Sequence, residues 1–232
     1  MHDAVTKIAD TQRQILPDFV KAFAIITVVW GHAIQYWHGV EFDFWRDYIF
    51  VWIYSFHMPL FAIVSGYLFS RSYYRHGGRE IIYSKIRQLI IPCISWGIIF
   101  SLVEAMISYS FGSSTSGLRV IKNIILEIIN DYWFLKAIFC CSILVLVVEK
   151  KANHKKLLYI IMVACTMLVP DIFGMASYAF LFPYFVIGFS YGKFYEHVHI
   201  ENKILCSSLF LHIIMILFWK KQYYIYKWDE YF

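Results

Sequence analysis

A chain of 232 residues that is 60% apolar and only 16% charged, with a mean hydropathy of +0.57, lacks the polar surface that a soluble domain of this length needs. The formal charge of +5 does not mark a nucleic-acid-binding face, because the basic residues gather in short segments between apolar runs. That pattern is topological and leaves room for an anionic ligand. These features imply one domain, 1–232, built as an all-α, polytopic transmembrane helix bundle with the lipid bilayer as its first partner.

A bilayer core of roughly 30 Å takes about 20 residues of helix to cross. Seven stretches qualify as candidates: 18–37, 47–70, 89–109, 132–149, 157–170, 178–195 and 204–219. The N-terminus carries Asp3, Asp10 and Asp18 and has no small-residue cleavage site after the first apolar run, so that run is expected to act as its own insertion signal. With the N-terminus inside, thirteen Lys and Arg fall on inside segments and six outside, which predicts a cytoplasmic N-terminus.

The first span reads DFVKAFAIITVVWGHAIQYW. At about 100° per residue, Asp18, Lys21, Ile25, Val28 and His32 share one stripe, with the acid and lysine near the inner surface and the histidine deeper. Ionisable groups at such depth are costly unless they face protein or an aqueous cleft, so the stripe is a functional candidate. In the second span, His57, Phe61 and Ser65 fall within an arc of about 80°. Pro59 should kink this helix, and Gly66 admits a neighbouring helix.

The next segment, RSYYRHGGREIIYSKIRQLIIP, holds five basic residues. Positive-inside topology accounts for most of them, but Lys85 and Arg87 abut the membrane just before Pro92. With Arg13 and Lys21 they form a candidate cytoplasm-facing anion site, since guanidinium matches phosphate with two parallel donors. Further on, LRVIKNIILEII has apolar residues at helical spacing and is expected to form an interfacial helix. Lys136 is expected to snorkel to the interface or to pair with Glu104. Cys93, Cys140, Cys141, Cys165 and Cys206 all lie in apolar runs without metal-binding spacing and are read as packing residues, with no metal site.

The run Arg13-x4-Asp18-x2-Lys21-x10-His32 resembles the first-helix motif of the acyltransferase-3 family of membrane acyltransferases. FHMPLFAIVSGYLF (56–69) is similar to that family's second-helix motif, especially in its fucose 4-O-acetylase-like branch. Lys85-x-Arg87-x-Leu89-Ile90-x-Pro92 and Trp133-Phe134-Leu135-Lys136 are similar to later family motifs, in the same order.

The resemblance implies a multi-pass protein of the inner (plasma) membrane. Its expected activity is transfer of an acyl group, usually acetyl from acetyl-CoA, to a carbohydrate hydroxyl of a cell-surface polysaccharide or glycolipid. His32 is then the expected catalytic residue. His57, Ser65 and Asp18 are possible supporting groups, and Arg13, Lys21, Lys85 and Arg87 are expected near the CoA phosphates. Acetyl-CoA enters as a substrate, not as a bound cofactor. Family cores carry about ten helices, so a chain with about seven is expected to be a short or C-terminally incomplete member. Intramembrane His and Lys also fit a transporter for a carbohydrate or small anion, and a short chain also fits an inactive fragment or scaffold.

Overall fold

The computed structural model of the chain describes residues 15–38, 47–75, 78–112, 116–166, 168–169 and 175–194. Arg13 and Cys206, and the stretch 204–219 expected as a seventh span, lie outside the described residues. Every regular element among those described is helical, as expected from the sequence. In chain order they are Ile15–His38 (α1), Tyr48–Arg75 (α2), Gly78–Lys85 (α3), a π-helical turn Ile86–Ile90, Ile91–Ser110 (α4), Gly117–Asn130 (α5), Trp133–Lys151 (α6), Lys155–Thr166 (α7) and Met175–Phe194 (α8).

By length and apolar composition, two helical stretches among the described residues qualify to cross a membrane, Tyr48–Arg75 and the rod Gly78–Ser110. The pair Gly117–Ile129 and Trp133–Lys151, bent by 53°, makes a third if it is one broken span. The expected fifth span, 157–170, corresponds to α7, which at 12 residues is too short to cross alone.

The described residues fall into two compact units, one ending at Val64 and the other beginning at Ser65. In the first, α1 meets the opening turns of α2 through small residues. Ala24, Thr27 and Gly31 are buried at the contact, and the Thr27 hydroxyl is satisfied by donating to the Ala24 carbonyl at 2.8 Å. Gly31 is what the approach requires, because a Cβ there would lie 2.8 Å from a ring carbon of Tyr54. The start of α2 is capped by Asp47, whose carboxylate accepts from the Phe50 N–H at 2.9 Å. Behind it Phe50, Ile53, His57 and Ala62 are buried. Pro59 lies inside α2, which continues through it as one helix.

In the second unit the last turns of α2 lie against α8. A Cβ on Gly66 would stand 2.1 Å from the Phe185 carbonyl oxygen and 2.9 Å from the Phe189 nitrogen, so the two backbones touch there. Phe69 fills the space beside that contact, its ring 5.7 Å from Phe185 and 6.0 Å from Phe189. α6 packs along α8, burying Ala137, Ile138, Cys141, Val145 and Leu146 against Leu181, Phe182, Phe185 and Val186.

The rod α3–π–α4 packs through α4 on α5, the amphipathic helix expected from LRVIKNIILEII. One side of α5 is therefore occupied by protein. Ser116 caps its start and Tyr132, in the left-handed region at φ 53°, turns the chain into α6. Lys136 takes partners other than Glu104. Its ammonium donates to the carbonyls of Ile128, at 3.0 Å, and Ile129. A cation on the unpaired carbonyls of a helix C-terminus satisfies both the hydrogen bonds and the dipole.

Candidate active site

The histidine stripe of α1 lies beside its packing face. The buried line Ala24–Thr27–Gly31 is about 100° around the helix from the line through Lys21 and His32. Asp18, Lys21 and Val28 are half-buried on the shoulder of the contact, while Ile25 and His32 are exposed. The small residues draw α1 onto α2, and that contact sets the azimuth of the histidine. The spacing Thr27-x3-Gly31 was the available signal for it.

His32 does not stand alone. Its Nδ1 is 3.0 Å from Oε1 of Gln35, one turn further along α1. The same oxygen accepts from the Tyr54 hydroxyl of α2 at 2.9 Å. Tyr54 is itself held on both sides. Its ring stacks on Phe50 with centroids 4.0 Å apart, and its edge meets the His57 ring at 4.7 Å. His57 is buried, and its Nδ1 donates to the Ile53 carbonyl at 2.8 Å. The two histidines singled out from the sequence thus belong to one neighbourhood, joined through Gln35 and Tyr54, neither of which the sequence reading picked out. The arrangement can hold an imidazole in a set orientation on an exposed helix shoulder.

Ser65 and Gly66 belong to the second unit, Ser65 half-buried on α2. Lys85, at the end of α3, places its ammonium 5.6 Å from the centre of the Phe69 ring, a cation–π contact. Arg87 is exposed on the π-helical turn. Lys21 is in the first unit and Arg13 outside the described residues.

A separate charged knot ties three helices of the second unit. The Glu149 side chain, 3% exposed at the end of α6, accepts from Lys155 of α7 at 3.0 Å and lies 3.8 Å from Lys193 of α8. The Tyr159 hydroxyl donates to its other oxygen at 3.3 Å. The hydrogen bond from Lys155 to Glu149 holds that ammonium above the ordinary lysine value. Of the cysteines, Cys93 and Cys141 are buried, and Cys140 and Cys165 are exposed.

No solved structure matches the chain. Nodulation protein NolL of Sinorhizobium fredii is 34% identical over 134 residues, which are 57% of this chain and 36% of that protein. Nodulation protein NolL of Mesorhizobium japonicum is 27% identical over 228 residues, 92% of this chain and 58% of that protein. The chain therefore spans less than two thirds of the length of either relative. A family model described as an acyltransferase domain, that of the acyltransferase-3 family, matches residues 16–232. That match takes in the helix bearing His32 and runs through every helix after it, and the chain belongs to the acyltransferase-3 family.

Proposed function

We propose that the chain is a membrane-bound O-acyltransferase that moves an acetyl group from acetyl-CoA to a carbohydrate hydroxyl of a cell-surface polysaccharide or glycolipid, with His32 as general base. The observation that carries the reading is the family match over residues 16–232, supported by the place of His32 on an exposed shoulder of α1 within a hydrogen-bonded setting.

The chemistry follows from the donor and acceptor. A sugar hydroxyl is a weak nucleophile at neutral pH, and an imidazole with an ordinary pKa of about 6.5 is suited to take its proton. As His32 accepts that proton, the hydroxyl oxygen bonds to the thioester carbonyl carbon and the carbonyl becomes an oxyanion that needs donors. Collapse breaks the carbon–sulfur bond. The thiolate leaves with the proton returned by the imidazolium, giving the O-acetyl sugar and free CoA. Lys85 and Arg87 take the phosphates of the donor, the arginine by paired N–H donors and the lysine as a point charge. His57, with its Nδ1 committed to a backbone carbonyl, supports the Tyr54 ring.

The test is acetyl-CoA turnover by the purified chain in nanodiscs, with and without a glycan acceptor, beside His32→Ala. The expected result is a loss of roughly 100-fold or more with the variant still inserted. Unchanged acetylation by His32→Ala would discard the mechanism. Labelled sugar uptake without dependence on acetyl-CoA would favour a transporter instead.

A further inference from the structure

We propose that Gln35, clamped by Tyr54, is the positioning residue that fixes the tautomer and ring orientation of His32. The inference rests on the reading of His32 as base, and it adds what makes that histidine competent.

The argument is one of hydrogen-bond accounting. Tyr54 donates its O–H to Oε1 of Gln35 at 2.9 Å, so that oxygen is the acceptor of the amide. The second contact to the same oxygen, from His32 Nδ1 at 3.0 Å, must then be a donated N–H. A neutral imidazole with its proton on Nδ1 carries its lone pair on Nε2. The amide thus selects which nitrogen accepts a proton from a substrate hydroxyl.

Orientation needs more than one bond, because a glutamine side chain has three rotatable torsions of its own. Here the acceptor oxygen is pinned from two helices, one bond within α1 and one from α2. The tyrosine that supplies the second is packed between Phe50 and His57 and sits against Gly31, where no side chain intrudes. A neutral partner also differs from a carboxylate. It orients the ring without placing a negative charge beside it.

The full chain in nanodiscs, with acetyl-CoA as the probe, tests this by kinetics and spectroscopy. Gln35→Ala is expected to lower kcat about tenfold or more with the KM for acetyl-CoA little changed, and Tyr54→Phe to lower it by less. Gln35→Glu keeps the geometry but adds a charge. It should move the acid limb of the kcat/KM profile upward by about one pH unit, a shift that a merely structural residue would not cause. Among the described residues, Tyr54 and His57 of α2 are titratable groups in this neighbourhood, so the same limb is read again in a His57→Asn background.

Independently of turnover, 15N spectra of histidine-labelled chain, assigned by difference against His32→Ala, should show Nδ1 of His32 protonated and Nε2 unprotonated. Gln35→Ala should lose that preference. An Nε2–H tautomer in the unaltered chain, or an inactive His32→Ala beside fully active Gln35 variants with an unmoved acid limb, overturns the positioning role and leaves the base reading intact. An active His32→Ala overturns both.

Discussion

Thr27 and Gly31 decide where the histidine of α1 stands, by letting α2 approach on one side and no other. The same logic is sharper at Gly66, where the neighbours are backbone atoms that cannot rotate away. An added methyl at 2.1 Å from the Phe185 carbonyl forces α2 and α8 apart. Gly66→Ala is expected to lower stability by about 1–3 kcal/mol, read as a lower melting temperature in detergent. Gly117→Ala is the control, since nothing lies within 4 Å of a Cβ there. At this scale the sequence pointed to the candidate histidines but not to the residues they meet. His32 and His57 stood out because ionisable groups are rare in apolar runs. Gln35 and Tyr54 did not, because a polar residue near a helix end and a tyrosine in an aromatic-rich span each have commonplace explanations. Only the pairing of two helices, in one azimuth each, brings the Tyr54 hydroxyl onto the Gln35 oxygen that His32 also meets.

Helices with a strong apolar signature emerged close to where hydropathy placed them. The first span was expected at 18–37 and α1 is Ile15–His38; the fourth was expected at 132–149 and α6 is Trp133–Lys151. The rod Gly78–Ser110 begins eleven residues before the expected third span, because its first turns are polar and hydropathy cannot see a helix that continues through charge. How α6, α7 and α8 are tied was also hidden, since Glu149 lies at an apolar run's end and its partners come 6, 10 and 44 residues later.

The Glu149 knot makes an asymmetric prediction. Removing the cation by Lys155→Met leaves a buried carboxylate with weaker compensation, whereas Glu149→Gln leaves two half-exposed ammonium groups that water can solvate. Lys155→Met should therefore lower the melting temperature more than Glu149→Gln. Because the Lys155 pKa is raised in the folded chain, the pair's contribution is fully present below the unfolded lysine value of about 10.4. It is lost only as pH rises through the higher folded value. The melting-temperature gap between Lys155→Met and the unaltered chain should thus be constant from about pH 7 to 9 and close above about pH 10.5.

For the whole molecule, the distribution of Lys and Arg makes a prediction that membrane-impermeant labelling checks. With the native cysteines replaced, a single cysteine at Ser116 should react from outside intact cells, and one at Asn153 only after the membrane is opened. The opposite pattern would invert the topology and set Lys85 and Arg87 on the side without acetyl-CoA. The seven-span expectation came from runs of apolar residues, each counted alone. Among the described residues, length and composition qualify two helices, or three if the bent α5–α6 pair is one span, and the 12-residue α7 is too short to cross alone.

The π-helical turn at Ile86–Ile90 bears on how such chains diverge. A π turn holds about one residue more than an α turn, and one residue is about 100° of rotation. The basic stretch before it is therefore set a quarter turn away from where an unbroken α-helix would carry it relative to α4. Losing a single residue there would leave the hydropathy profile and the charge count almost untouched, yet swing Arg79 and Lys85 toward different neighbours. Two family members with the same apolar silhouette can in this way differ in where their cations stand, and an alignment that absorbs the missing residue as a gap would hide the change.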